Sequence, residues 1–255
     1  TAPSAHIVKQ SHVRLEGIVT NEQLSMMTAA KCGIEVPESF IIDLGNGEDK
    51  EVLYATRRYD RTFEGAVDTI NGLMCPLRLH QEDFSQAIGI PSTSKYEKER
   101  SGYMRRMFEL LRQFSSNPIV DQGKLWDIIV FCYLLGNTDA HIKNFSLLYG
   151  KDLRSIRLAP AYDLVSTTVY ESSTREMAFS IGNDLLIDEI TEDSFRKAAS
   201  DLHLGEKFAI SRYNYISNHF REALREAASE LQDAGFSQAV RMEDRILRTG
   251  GYANL

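Results

Sequence analysis

Long apolar runs, clustered cysteines and an excess of positive charge are all missing from this 255-residue sequence. No apolar run approaches the ~20 residues that a membrane-spanning helix needs, and no secretory signal pattern is found. The formal net charge of -7 argues against a generally basic nucleic-acid-binding protein. These absences predict a cytoplasmic protein that neither inserts into a membrane nor binds nucleic acid directly.

Metal-binding and hydrolase motifs are missing as well. The three cysteines, Cys32, Cys75 and Cys132, are far apart and form no CxxC pair, which favours free thiols in a reducing compartment. A metal-hydrolase site built on His141 with Asp139 and Asp163 is the rival interpretation of the acidic residues below. However, HxH, HxxxH, HExxH and GxSxG patterns are all absent, so hydrolysis is less well supported.

One dense polar segment stands out between apolar elements. An apolar helix predicted over residues 124–135 ends at Gly136, and the following loop presents four reactive side chains. They are Asp139, His141, Lys143 and Asn144. Because apolar residues surround almost the whole helix, we expect it to be buried and to support this loop rigidly.

The spacing within the loop indicates phosphoryl transfer. Asp139 and Asn144 are five residues apart, like the base and the metal-binding Asn of the protein-kinase catalytic loop. Asp163 follows a predicted strand pair, where a second metal-binding carboxylate would belong. Since Mg²⁺ prefers hard oxygen ligands, Asn144 and Asp163 are the candidate metal ligands and Asp139 is the candidate base.

Four side chains, two of them in this loop, have two interpretations each. Lys9, on a strand over residues 5–9, can pair with nucleotide phosphates or lie exposed at a sheet edge. Glu22 can orient Lys9, or occupy the first turn of a helix over residues 22–32 that Asn21 caps. His141 can contact phosphate or make a structural hydrogen bond. Lys143 can neutralise the γ-phosphate or point into solvent.

The remaining elements are predicted from periodicity and turn residues. Residues 57–61 are either an inter-lobe hinge or a solvated charged segment, and the hydroxyl groups of residues 91–97 are phosphoacceptors or ordinary turn residues. Hairpins are expected at 40–44 with 52–56, through a turn at 45–47, and at 145–149 with 155–158. Helices are expected at 81–89, 103–114, 192–202, 206–231 and 237–248.

An ordered series of segments resembles the HipA family of bacterial serine/threonine kinases, which are toxins of toxin–antitoxin modules. The segments are His6–Lys9, Asn21–Glu22, Arg58–Arg61, Arg78–Asp83, Pro91–Ser92, Lys95–Glu97, Gly136–Ser146 and Leu158–Ser166, with weaker matches at Met177–Gly182 and Asp188–Thr191. The resemblance implies an α+β fold like that of protein kinases. It has two lobes, a small β-rich one over residues 1–62 and a larger, mainly helical one over residues 63–255.

The resemblance also implies roles for individual residues. Lys9 would contact the phosphates of ATP, Asp139 would be the base and His141 would lie close to the phosphates. Asn144 and Asp163 would hold Mg²⁺. The remaining nucleotide contacts would come from Tyr59 at the adenine, Asp60 and Gln81 at the ribose, and Tyr162 beside the nucleotide.

Two features of the family are not found in the sequence: the Gly-rich phosphate loop with its autophosphorylated serine, and an additional N-terminal subdomain. We expect a compact, HipT-like toxin whose extra subdomain is a separate small protein, with some upstream residues also absent. The implied partners are an antitoxin with a DNA-binding domain and a protein substrate, an aminoacyl-tRNA synthetase. The alternatives are a pseudokinase or binding module of the same fold, and a kinase with a lipid or small-molecule acceptor.

Overall fold

The computed structural model describes residues 4–12, 14–45, 51–98 and 101–255. The strands in this part of the chain are β1 (His6–Gln10), β2 (Ser39–Asp43), β3 (Val52–Arg57), β4 (Arg61–Thr62), β5 (Thr69–Ile70), β6 (Leu73–Met74), β7 (Leu77–Arg78), β8 (Gln81–Asp83), β9 (Ser146–Tyr149), β10 (Ile156–Leu158), β11 (Glu176–Ile181) and β12 (Asp184–Leu186). The α-helices are α1 (Ile18–Lys31), α2 (Phe84–Ile88), α3 (Tyr103–Phe114), α4 (Pro118–Leu135), α5 (Glu192–Asp201), α6 (Glu206–Asp233) and α7 (Gln238–Thr249).

The first three strands form an antiparallel sheet with β3 at its centre, between β1 and β2. Tyr54 in β3 lies opposite both Lys9 in β1 and Ile41 in β2. The predicted hairpin of β2 and β3 is therefore confirmed, whereas most of its predicted turn at 45–47 lies outside the described residues. Because α1 packs against β2 and β3, the sheet holds Lys9 close to that helix.

Helix α1 begins earlier than the sequence predicts. Its first residue is Ile18, and Gly17 precedes it with a left-handed φ of 71°. Asn21 therefore lies inside the helix, and its predicted role as the N-cap is wrong. Its side chain is buried instead, donating to the carbonyl of Ser166 (2.8 Å) and accepting from the backbone N–H of Ser166 (3.0 Å).

Helix α4 runs through the middle of the larger lobe. It is buried on almost every side, as predicted, and packs against α3 and α6. Its start at residue 124 was wrong, because the helix begins at Pro118. Proline is favoured in the first turn, where its missing N–H would have had no partner within the helix. The six residues gained lengthen the rigid element that ends at Gly136.

A second sheet, ordered β10–β9–β8, lies beside the loop that follows α4. Residues 81–83 form strand β8, which pairs with β9, so the helix predicted over 81–89 was wrong in its first part. Helix α2 starts only at Phe84, after Asp83 caps its N-terminus through a capping box with Gln86. The β9–β10 hairpin is confirmed.

The other helix predictions agree closely with the structure. Helix α3 has the predicted bounds, and α5, α6 and α7 differ from prediction by one or two residues at their ends. Cys32, Cys75 and Cys132 are free thiols, and two of them are buried. None of the helices in the described ranges has both the length and the apolar character that crossing a bilayer requires.

Candidate active site

Lys9 lies between two carboxylates that come from distant parts of the chain. Its Nζ is 2.6 Å from Oε1 of Glu22 in α1, and it also contacts a carboxylate oxygen of Asp163. Burial alone would lower the pKa of Lys9, but the two negative charges more than offset this and raise it. Lys9 is therefore a fixed cation at the junction of the two lobes.

Glu22 is the buried member of this group. Only 4% of the residue is exposed, and this burial raises the pKa of its carboxyl to about 7, although the ion pair with Lys9 opposes the shift. Because α1 begins at Ile18, Glu22 is beyond the first turn of the helix and has no capping function. Of the two interpretations of Glu22, the ion pair with Lys9 is the one that the geometry confirms.

The loop after α4 is shaped by backbone contacts. Gly136 ends the helix with a left-handed φ of 76°, and an added Cβ at this position would lie 2.1 Å from Oγ1 of Thr168. Further along, the Asn144 side-chain amide donates to the carbonyl of Asp139 (3.1 Å). The two ends of the predicted Asp139–Asn144 motif are therefore brought together, with the amide of Asn144 fixed in orientation.

The segment that carries Asp163 is fastened to the same loop. Thr138 donates its backbone N–H to Oγ1 of Thr167 (2.8 Å), and the amide of Asn137 donates to the carbonyl of Asp163 (3.4 Å). Asp163 itself has a φ of 58°, in the left-handed region. These contacts hold the candidate base and the candidate metal carboxylate on one support.

Asp139 has a hydrogen-bond partner that no pattern in the sequence indicates. The phenol of Tyr96 donates to the Asp139 carboxylate, and the Tyr96 ring meets the His141 ring edge-on with centroids 5.5 Å apart. The segment before Tyr96 is polar and turn-like, and the family match at residues 95–97 implies no contact with Asp139. The periodicity of neighbouring elements also gives no information on how such a turn folds back.

His141 is buried beside Asp139. Its Nδ1 has no hydrogen-bond partner in the described part of the chain, so the structural hydrogen bond that was one interpretation of this residue is not found at that atom. Burial lowers the pKa of His141, an effect that the negative charge of Asp139 opposes. The lowered pKa favours a neutral imidazole, whose Nδ1 is available within the loop.

A cleft of about 330 Å³ opens between the sheet of β1–β3 and the larger lobe. Eight of the predicted site residues line it: Lys9, Glu22, Tyr59, Asp60, Gln81, Lys143, Tyr162 and Asp163. The other three predicted residues, Asp139, His141 and Asn144, belong to the adjoining loop. The cleft is thus built from residues that are far apart in sequence, as a nucleotide site between two lobes requires.

Two tyrosines form the apolar end of the cleft. The rings of Tyr59 and Tyr162 stack with centroids 5.4 Å apart, and the Tyr59 hydroxyl donates to the side-chain oxygen of Gln81 (2.8 Å). The Tyr162 hydroxyl lies 2.6 Å from that of Ser146 and donates to the Lys143 carbonyl (2.9 Å). Flat apolar faces of this kind suit a purine base.

Asp60 is tightly held by arginines. Its carboxylate receives two hydrogen bonds from Arg58, both 2.8 Å, and one from Arg61 of 2.7 Å. Burial would raise its pKa, but the two guanidinium groups more than offset this and lower it. The residue lines the cleft as an anion whose oxygens are already bonded, so its contact with a ribose stays a prediction.

The donor set for Mg²⁺ is small but chemically suitable. The described residues hold no group of three or more His, Cys, Asp or Glu side chains that could bind a metal. Mg²⁺ does not need one, because it commonly takes one or two protein oxygens and completes its octahedron with water and phosphate. The Asp163 carboxylate and the Asn144 amide oxygen match that requirement.

Comparisons with known proteins agree with this geometry. The sequence model described as the HipA-like C-terminal domain matches residues 1–234. A Sinorhizobium fredii protein provisionally named as a kinase, Y4mE, is 34% identical over 234 residues, which are 90% of this chain and 52% of that protein. The serine/threonine-protein kinase toxin HipA of Shewanella oneidensis is 27% identical over 237 residues, 89% of this chain and 51% of that one.

A solved structure extends the comparison to the fold. HipA of Shewanella oneidensis, in a complex with HipB and operator DNA, superposes with a TM-score of 0.79 and 25% identity. The match covers 96% of this chain and 57% of that one, which confirms the predicted HipA-like α+β fold. The chain spans about half the length of the curated relatives that it matches. The resemblance inferred from the ordered motifs is confirmed: the chain belongs to the family of HipA-like C-terminal domains.

Proposed function

We propose that this chain carries the catalytic site of an ATP- and Mg²⁺-dependent serine/threonine protein kinase. The observation that supports it most strongly is the position of Lys9 between Glu22 and Asp163. A buried acid that orients a strand lysine beside a metal carboxylate is the arrangement that kinases use to bind nucleotide phosphates. It lies next to a loop with the kinase spacing of Asp139 and Asn144.

Each side chain has a specific task in this proposal. Tyr59 and Tyr162 contact the adenine, while Lys9 and Lys143 neutralise phosphate oxygens. Asp139 accepts the proton of the acceptor hydroxyl while the oxygen of that hydroxyl bonds to the γ-phosphorus. The bond between the γ-phosphorus and the bridging oxygen breaks, and ADP leaves. Bound Mg²⁺, held by Asn144 and Asp163, supplies charge neutralisation on the phosphates. Most of the catalytic effect therefore comes from position and charge.

The cellular role is a further part of the proposal. Family membership and the name of the Shewanella relative support a toxin of a bacterial toxin–antitoxin module, acting in the cytoplasm. The complex of that relative with HipB and operator DNA supports a DNA-binding antitoxin as the partner. By family resemblance, the proposed substrate is an aminoacyl-tRNA synthetase whose phosphorylation stops growth.

The test compares full-length protein with an Asp139→Gln variant. Phosphate transfer from γ-labelled ATP should be at least about 100-fold slower in the variant, because loss of the base removes a contribution of that order. Binding of ATP with Mg²⁺, measured by calorimetry, should be retained. Equal labelling by both proteins would refute the assignment of Asp139, and absence of ATP binding by the wild type would refute the kinase itself.

A further inference from the structure

The phenol of Tyr96 is bonded to the side chain that the proposed kinase uses as its base. The Tyr96 hydroxyl donates to Oδ1 of Asp139, and the ring packs on His141. The phenol is not an ionised group, because burial and the negative charge of Asp139 raise the pKa of Tyr96 to about 12. Tyr96 therefore presents a neutral O–H donor to the carboxylate.

The backbone on either side of Tyr96 is firmly anchored. The Glu97 carboxylate accepts from the backbone N–H groups of Gly102 (2.6 Å) and Ser180 (2.7 Å), and the Glu97 N–H donates to the carbonyl of Ala178 (2.8 Å). On the other side, the Tyr103 hydroxyl donates to the carbonyl of Ser94 (2.6 Å). The position of Tyr96 is therefore a consequence of the fold around it.

The side chain of Tyr96 is much freer than its backbone. The residue is 42% exposed, so its ring can turn away from Asp139 without any rearrangement of the core. Lys95, whose Nζ lies 4.8 Å from the centre of the Tyr96 ring, is the adjacent cation. Displacement of the phenol thus requires the loss of its hydrogen bond to Asp139 and of the ring's edge contact with His141, and a rotation into solvent.

The chemistry of phosphoryl transfer gives this contact a meaning. The acceptor hydroxyl must donate a hydrogen bond to Asp139, because its proton passes to that carboxylate during transfer. At the same time the hydroxyl oxygen forms a bond to the γ-phosphorus, and the bond between that phosphorus and the β–γ bridging oxygen breaks. This inference rests on the proposed function: we propose that the Tyr96 phenol occupies the position that the acceptor hydroxyl takes during transfer. A serine or threonine hydroxyl must displace that phenol from Asp139 before transfer begins.

The consequence is a slower transfer of phosphate to water and small alcohols. Water and small alcohols compete poorly with the phenol for Asp139, whereas a protein acceptor docks through many other contacts and brings its hydroxyl at a high local concentration. Tyr96 thereby favours the specific protein acceptor over solvent. The side chain acts on the choice of acceptor and leaves nucleotide binding alone.

The experiment compares wild type, Tyr96→Phe and Tyr149→Phe in the full-length protein. Tyr149→Phe is the matched control, because the Tyr149 phenol also donates to a carboxylate, that of Glu82, but lies outside the cleft. ADP release is measured at varied ATP concentration, first without a protein acceptor, so that water is the acceptor, and then with dephosphorylated casein. The Asp139→Gln variant gives the rate of ADP release that does not depend on the proposed base.

Tyr96→Phe should raise ADP release to water about three- to tenfold, the range that one hydrogen bond represents in free energy. The KM for ATP should be unchanged, and Tyr149→Phe should behave like wild type.

Two results would overturn the proposal. A slower reaction in Tyr96→Phe at unchanged KM for ATP would make Tyr96 a residue that only orients Asp139, and an unchanged rate would make the contact incidental. The kinase assignment fails separately: it is refuted if wild type and Asp139→Gln release ADP at the same rate. An active wild type with an unaltered Tyr96→Phe variant refutes the acceptor inference alone.

Discussion

The ammonium group of Lys9 lies 2.6 Å from Oε1 of Glu22, a residue that is 4% exposed and whose carboxyl has a pKa raised to about 7 by burial. The pair joins β1 to α1 and places the cation in the cleft. Because one partner titrates near neutral pH, the strength of this pair depends on pH. The position of Lys9, and with it the binding of phosphates, should depend on pH in the same way.

We expect ATP affinity to fall as the pH is lowered through about 7, because protonation of Glu22 removes the negative charge that orients Lys9. Glu22→Gln should bind ATP about tenfold more weakly than wild type at pH 8, roughly 1.4 kcal/mol, and nearly equally at pH 6. Calorimetry with Mg²⁺ at both pH values measures this. Glu35→Gln, which removes a 2.7 Å pair with Lys124 outside the cleft, is the control.

Folding stability should respond in the opposite direction. Since the pKa of Glu22 is raised above its ordinary 4.5, the folded state holds that proton more tightly than the unfolded chain does. This contribution to stability is complete below about pH 4.5 and is lost as the pH rises through 7. The difference in unfolding free energy between wild type and Glu22→Gln should change over that interval, and a constant difference would contradict the assigned titration.

Tyr59 should contribute to nucleotide binding through its ring. Tyr59→Ala removes the stack on Tyr162 and should weaken ATP binding about three- to tenfold, the usual worth of one aromatic contact. Tyr59→Phe keeps the ring and loses the hydrogen bond to Gln81, which is not a contact with the adenine, so its ATP affinity should stay within about twofold of wild type. Calorimetry with ATP and with inorganic tripolyphosphate separates the contribution of the adenine to the affinity from that of the phosphates.

Tripolyphosphate binding should be unaffected by Tyr59→Ala, since the ligand has no base to stack. Tyr215→Ala provides a control, because Tyr215 packs on His219 away from the cleft. A loss of tripolyphosphate affinity equal to the loss of ATP affinity would show that Tyr59 shapes the whole cleft and does not contact the adenine.

Gly136 should tolerate a side chain far less well than Gly89, although both have a φ of 76°. An alanine Cβ at Gly89 meets nothing within 4 Å, so Gly89→Ala should cost only the left-handed backbone penalty, about 1–2 kcal/mol. At Gly136 the same atom would lie 2.1 Å from Oγ1 of Thr168 and 2.9 Å from Cα of Gly250. Chemical unfolding of both variants should give a loss at Gly136 that is larger by about 2 kcal/mol or more.

The activity of Gly136→Ala should also fall, because Gly136 begins the loop that holds Asp139. Gly89→Ala should retain wild-type activity once its smaller stability loss is taken into account. Equal losses of stability in the two variants would mean that the end of α4 can shift without cost, and the loop would then not be fixed by the contact with Thr168.

Periodic, strongly amphipathic segments were the most predictable parts of the fold. Helix α3 has its predicted bounds, because Met104, Met107, Phe108 and Leu111 recur at helical spacing and a proline follows shortly after. The start of α1 was wrong because Gly17 gives no capping signal, while Asn21 imitates one and is in fact bound to Ser166. A tertiary hydrogen bond of that kind leaves no local pattern.

The candidate site was predictable where its residues form a motif of fixed spacing or a family segment. Its inner geometry was not. The contact between Tyr96 and Asp139 spans 43 positions and depends on how Glu97 anchors an irregular turn. The choice between capping and ion pairing for Glu22 also depended on where α1 begins. Irregular backbone and long-range hydrogen bonds decide such details, and single-sequence patterns carry little information on either.

The left-handed backbone of Asp163, with a φ of 58°, has a genetic consequence. Of the residues that replace an aspartate after a single base change, asparagine and glycine adopt this conformation most readily. Both remove the charge that would hold the metal and pair with Lys9. Under the proposed growth-inhibiting activity, a selection for surviving cells should therefore find folded, inactive forms at this codon more readily than at positions where loss of function requires loss of the fold.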